Sequence, residues 1–137
     1  MNKEIKTFLQ LRRYLQTIPC INEGGCGIAA LTMFRWLKQR GESSEIVFYY
    51  NSKSKKSFNA NEACMGVDSC SHAYVKYKQK LYDTERLQTD GRLRHMMSES
   101  MVVKSVNNKK NWSSNFDRDF IPYIQKDTGV DLSDLNL

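Results

Sequence analysis

The chain has 137 residues and a mass of 16.0 kDa, which is one domain's worth of sequence. Hydrophobic residues make up 40% and charged residues 26%, ordinary globular values that exclude a wholly disordered chain, and no apolar run approaches the ~20 residues of a membrane span. The net charge is +6, and residues 1–58 account for it with ten basic and four acidic residues, while residues 59–137 hold eleven of each.

In chain order, the apolar period predicts an amphipathic helix over residues 3–16. Ile5, Phe8, Leu9, Arg12 and Leu15 line one face, with Leu11 and Tyr14 beside it. Pro19 ends this helix, and Gly24 and Gly25 mark a turn. A second helix is expected from Cys26 to Arg40, apolar on most sides through Ile28, Ala29, Ala30, Leu31, Met33, Phe34, Trp36 and Leu37. Gly41 suits its C-terminal cap. Ile46–Tyr50 reads as a strand, and residues 51–71 as a long polar loop. His72–Tyr77 and Lys80–Asp83 read as a hairpin turning near Tyr77 and Lys78. Residues 84–100 are expected to be helical or irregular, and Met101–Val106 to be a strand. Phe116, Phe120, Ile121 and Ile124 indicate a last helix disturbed by Pro122, and the acidic end from Asp127 is expected to fray. The whole reads as a single α+β domain: a helical part at 1–41, a sheet part at 45–106 and a C-terminal helix and tail at 112–137.

The four cysteines fall as Cys20/Cys26 and Cys64/Cys70, each pair separated by five residues. This is not the C-x2-C spacing of zinc sites, so no metal and no other cofactor is expected. Cys26 opens a buried helix directly after two glycines. Unpaired helix N–H groups and the positive end of the helix dipole favour a thiolate there, and the glycines allow close approach to the sulfur. His72 starts one strand of the hairpin and Asp83 ends the next. A hairpin in which Val75 opposes Lys80 would also oppose His72 to Asp83, with Cβ atoms about 5 Å apart. A small change of loop would leave the pair diagonal and still within reach. A carboxylate on one imidazole nitrogen fixes the tautomer and leaves the other nitrogen for a thiol. His95, beside Met96 and Met97, reads as structural.

The run Gly24-Gly25-Cys26-Gly27-Ile28-Ala29-Ala30-Leu31, followed by His72 and by Leu81-Tyr82-Asp83, resembles the papain-like cysteine peptidase superfamily. Its compact branches, the bacteriocin-leader-processing peptidases and transglutaminase-like proteins, are the most similar. The resemblance spans about residues 16–90. It implies a Cys-bearing helix packed on an antiparallel sheet that carries His and Asp. It also implies Cys26 as nucleophile, His72 as general base and acid, and Asp83 as the orienting acid. The family usually has a Gln a few residues before the Cys as an oxyanion donor. Here Asn22 and Gln16 are the candidates, neither at the common spacing. Gly24, Gly25 and Ser71 are candidates for the substrate cleft, and the 51–71 loop for its lid or wall.

The function expected from these residues is a cysteine-dependent hydrolase: a peptidase, isopeptidase or deamidase acting through a thioester on a narrow protein or peptide substrate. The alternative is a catalytically inactive module whose basic N-terminal half binds an acidic protein or nucleic acid. No zinc-finger spacing or glycine-aromatic RNA-binding box accompanies the charge, so nucleic acid is the less favoured partner. The opening residues lack the apolar stretch of a secretory signal, which leads to the expectation of a cytoplasmic protein without a membrane partner.

Overall fold

The computed structural model describes residues 5–22, 25–50, 70–84, 87–88, 94–107 and 116–135. The first helix, α1, is Phe8–Gln16. It starts five residues later than its apolar pattern suggests because Thr7 builds a capping box. The Thr7 hydroxyl accepts from the Gln10 N–H at 3.1 Å, and the Gln10 side-chain oxygen accepts from the Thr7 N–H at 3.1 Å. Leu11, Tyr14 and Leu15 form the buried face, and Leu9 is 49% exposed. The expected stripe is therefore rotated. At 100° per residue Leu9 lies opposite Leu11, and only one of them can face the core.

The second helix, α2, is Cys26–Gln39, buried continuously from Cys26 to Met33 and again at Trp36 and Leu37. Its end is a Schellman motif. Gly41 adopts a φ of 75°, its N–H reaches the Lys38 carbonyl at 3.0 Å, and the Glu42 N–H reaches the Leu37 carbonyl at 2.9 Å.

Five strands are described: β1 (Glu45–Tyr50), β2 (Cys70–Tyr77), β3 (Lys80–Tyr82), β4 (Leu87–Gln88) and β5 (Arg94–Met97). They form an antiparallel sheet in the order β4-β3-β2-β1-β5. Lys78 and Gln79 turn the β2–β3 hairpin with φ values of 51° and 70°, the positive pair that a two-residue primed turn requires. Tyr77 therefore opposes Lys80, Lys76 opposes Leu81 and Val75 opposes Tyr82. The register differs by two residues from one that pairs Val75 with Lys80. Residues 84–100 hold β4, β5 and the start of a helix instead of a helical or irregular stretch.

Met101–Val106 is helical, within α3 (Glu99–Asn107). The two adjacent valines favour a strand locally, but the Ser98 hydroxyl caps the Met101 N–H at 3.2 Å and Val102, Ser105 and Val106 are buried at helical spacing. A short 3-10 turn at Arg118–Phe120 leads into α4 (Ile121–Thr128). Pro122 does not disturb this helix. It lies in the first turn, where a missing N–H costs no hydrogen bond.

The acidic end does not fray. Val130, Leu132 and Leu135 are buried, and Asp134 receives both terminal nitrogens of Arg35 at 2.8 Å. Arg35 also donates to the Asp131 carbonyl at 2.8 Å and to Glu99 at 2.6 Å, joining α2, α3 and the tail. Against α2 the sheet presents Ile46, Ala73, Val75 and Met97, in one core with residues of α1, α3, α4 and the tail. Val47, Tyr74 and Leu81 cluster separately. No described helix is long and apolar enough to cross a membrane.

A docked tail has a measurable consequence. Leu132 is 1% exposed, so Leu132→Ala is expected to lower unfolding stability by about 2–5 kcal/mol, read from the denaturant midpoint. A frayed end would lose almost nothing.

Candidate active site

Cys26 is the first residue of α2 and is 7% exposed. Gly25 precedes it as the N-cap and supplies no side-chain cap. The helix ladder begins with the Ala29 N–H on the Gly25 carbonyl at 2.9 Å, so the N–H groups of Cys26, Gly27 and Ile28 have no intrahelical acceptor. These groups and the helix dipole put positive potential at the sulfur. Gly25 is required by space. A Cβ there would lie 2.7 Å from the Ile21 carbonyl oxygen and 2.8 Å from the Phe116 ring. The chain before α2 and the residues before α4 thus press on the start of the Cys helix.

His72 lies in β2, and Asp83 is the residue after β3. Continuing the hairpin register by one step sets Asp83 opposite Tyr74 and diagonal to His72. Residues two apart on a strand share a face, and the His72 and Tyr74 rings meet edge-on with centroids 4.6 Å apart. The diagonal is short enough for contact. His72 Nε2 lies 3.2 Å from Asp83 Oδ2, with side chains 17% and 9% exposed. Cys26 is near enough for its sulfur to act on the charge of the His72 ring. With Nε2 engaged by Asp83, Nδ1 is the nitrogen left for the sulfur. His72 and Asp83 are therefore together, though by a diagonal contact instead of a directly opposed pair.

Burial works against a charged His72. The hydrogen bond to Asp83, the nearness of Cys26, and the negative charge both can carry, outweigh it and push the His72 pKa up to about 9. The imidazolium is thereby held through neutral pH.

The other expected residues divide. Asn22 Nδ2 donates to Thr84 Oγ1 at 2.9 Å, so its amide supports the residue after Asp83, and no described hydrogen bond joins it to Cys26. Gln16 is exposed at the last position of α1, without a described bond to any triad residue. Gly24 lies outside the described residues, as do Cys64 and residues 51–69 of the expected lid. Ser71 is in β2, but its side chain is not among those described. Cys20 and Cys26 carry thiols and no disulfide, and no cluster of three or more His, Cys, Asp or Glu suited to a metal occurs among the described residues.

Two residues at the site were not singled out from the sequence. Arg12 Nε donates to the Asp83 carbonyl at 2.8 Å, and its guanidinium lies over the Tyr82 ring at 4.7 Å. Thr84, 3% exposed, receives Asn22. A signal for Arg12 was present, since a guanidinium within an apolar helix face must find an acceptor. A groove of about 580 Å³ at Arg35, Glu99, Lys104 and Asp134 shares no residue with the triad, and Glu99 and Asp134 already engage its arginine.

Two outcomes follow from this geometry. Gly25→Ala is expected to destabilise the fold by about 1–3 kcal/mol in chemical denaturation, because the Ile21 backbone must move. For pH, the folded His72 value of about 9 exceeds the unfolded value near 6.5. Its stabilisation is complete below about 6.5 and is lost as pH rises through about 9. The melting temperature of the native chain is expected to fall over that interval more steeply than that of His72→Gln. No protein-family model, curated protein or solved structure matches the chain.

Proposed function

We propose that the protein is a papain-like thiol hydrolase that cleaves an amide bond in a protein or peptide. The observation that carries this reading is His72 paired with Asp83 at 3.2 Å and influenced by Cys26, with Cys26 at the positive end of a buried helix.

The chemistry follows from those contacts. The reactive state is a Cys26 thiolate beside a His72 imidazolium, with Asp83 stabilising the imidazolium and fixing the ring. The sulfur attacks the substrate carbonyl carbon, and the carbonyl π pair moves onto oxygen. The backbone N–H groups at the start of α2 face the developing oxyanion. As the carbonyl re-forms, the carbon–nitrogen bond breaks and the imidazolium protonates the departing amine. A thioester remains on Cys26. Water, deprotonated by the now neutral His72, attacks it; the carbon–sulfur bond breaks, releasing the acid and restoring the thiolate–imidazolium pair. A peptide, an isopeptide and a side-chain amide all fit this sequence, so peptidase, isopeptidase and deamidase activity share one site.

Iodoacetamide labelling of Cys26 read by mass spectrometry tests the pair without a known substrate. The native chain is expected to label readily near pH 6.5, with His72→Ala labelling at least tenfold more slowly. In an amide-hydrolysis screen, Cys26→Ala is expected to abolish turnover and His72→Ala to reduce it by roughly 10²–10⁴. Labelling at Cys26 that is indifferent to His72 would sink the catalytic reading and favour the binding module.

A further inference from the structure

We infer that Arg12, on α1, is a positioning residue for the acid of the triad, setting where Asp83 stands and through it how His72 is held. The inference deepens the thiol-hydrolase reading and rests on it for the consequence in rate.

Asp83 follows a strand of only three residues, Lys80–Tyr82, so the ladder alone does little to fix it. Its carboxylate must nonetheless stand 3.2 Å from His72. The Arg12 Nε–H fastens the Asp83 carbonyl at 2.8 Å, a charge-assisted bond to the backbone of that residue. The same guanidinium lies over the Tyr82 ring, and Phe8, one turn earlier on α1, meets that ring edge-on at 5.3 Å. Phe8 also meets Tyr77 edge-on at 5.4 Å, across the hairpin. Asn22 secures Thr84 on the far side of Asp83. The aspartate is gripped at its own carbonyl and flanked by Tyr82 and Thr84, each held by a residue from the helical part.

The chemistry suits this role. The Arg12 contact goes to the Asp83 main chain, which leaves Oδ2 on His72. Burial makes the Arg12 charge harder to hold, and the charge of Asp83 offsets this in part. Arg12 therefore fixes the acid in place without taking its carboxylate from the imidazole.

The test compares the native chain with Arg12→Met, which keeps length and apolar packing and removes the donor, and with Arg12→Lys, which keeps a charged donor. The first readout is the His72 titration midpoint by proton NMR, with Cys26, Asp83 and Tyr74 as the groups that face the ring. In Arg12→Met the midpoint is expected to fall from about 9 toward the ordinary value near 6.5, and Arg12→Lys to recover part of the difference. Iodoacetamide labelling of Cys26 near pH 7 is expected to slow in Arg12→Met and to recover in part in Arg12→Lys. A helix-docking role alone would lower the melting temperature and leave the midpoint unchanged, and that result overturns the inference.

Should Arg12→Met fail to fold, nitrogen NMR of the native chain decides. An Arg12 Nε–H resonance that moves with the His72 midpoint supports the coupling, and one that ignores it overturns it. The His72 midpoint judges Arg12 whether or not Cys26 proves reactive. Labelling indifferent to His72 counts against the hydrolase reading alone.

Discussion

The contact on which the site depends is the pressure of Ile21 and Phe116 on Gly25. The carbonyl of one and the ring of the other occupy the space that any Cβ would need. α2 starts at the next residue, Cys26, and the sulfur sits in the first turn, where the peptide N–H groups have no intrahelical acceptor. The rest of α2 is locked by burial from Cys26 to Met33 and by the turn at Gly41. A side chain on such a helix cannot drift. His72 and Asp83 must be brought toward it by the sheet.

That delivery is made by strand geometry and by polar ties together. The β2–β3 hairpin presents His72 and Asp83 on a diagonal. Burial of the imidazole disfavours its charge, and only the carboxylate and thiol partners reverse that balance. The polar groups around the site are divided by atom. Asp83 gives its carboxylate to His72 and its carbonyl to Arg12, and Asn22 holds Thr84. Among the described bonds, the carboxylate and the carbonyl of Asp83 serve different partners.

Much of this was legible in the residues. Two glycines before Cys26 and the apolar arc after it located α2, and Gly41 located its end. His72 and Asp83 were close enough in a hairpin for either register to join them, and so the pair was found although its opposed residues were displaced by two. That displacement was not legible because Lys78-Gln79 lacks the Asn-Gly marking of a primed turn and takes positive φ at both positions. Met101–Val106 failed for a different reason. Val-Val favours a strand, and only the Ser98 cap and the burial of Val102 and Val106 make it helical. The tail was misjudged because its acids look solvated in isolation. Their partner, Arg35, is 99 residues earlier, beyond the reach of any local pattern. The acceptor of Arg12 is hidden in the same way, 71 residues along the chain.

The Arg35–Asp134 pairing also bears on how the molecule is made. α2 emerges early in synthesis, but its guanidinium has no bidentate partner until nearly one hundred further residues have been translated. Val130, Leu132 and Leu135 must likewise arrive before that side of the core can close. Contacts of such long sequence separation form slowly, because the loop between them must lose its freedom first. The helix carrying Cys26 therefore spends the synthesis of the sheet with part of its apolar surface uncovered.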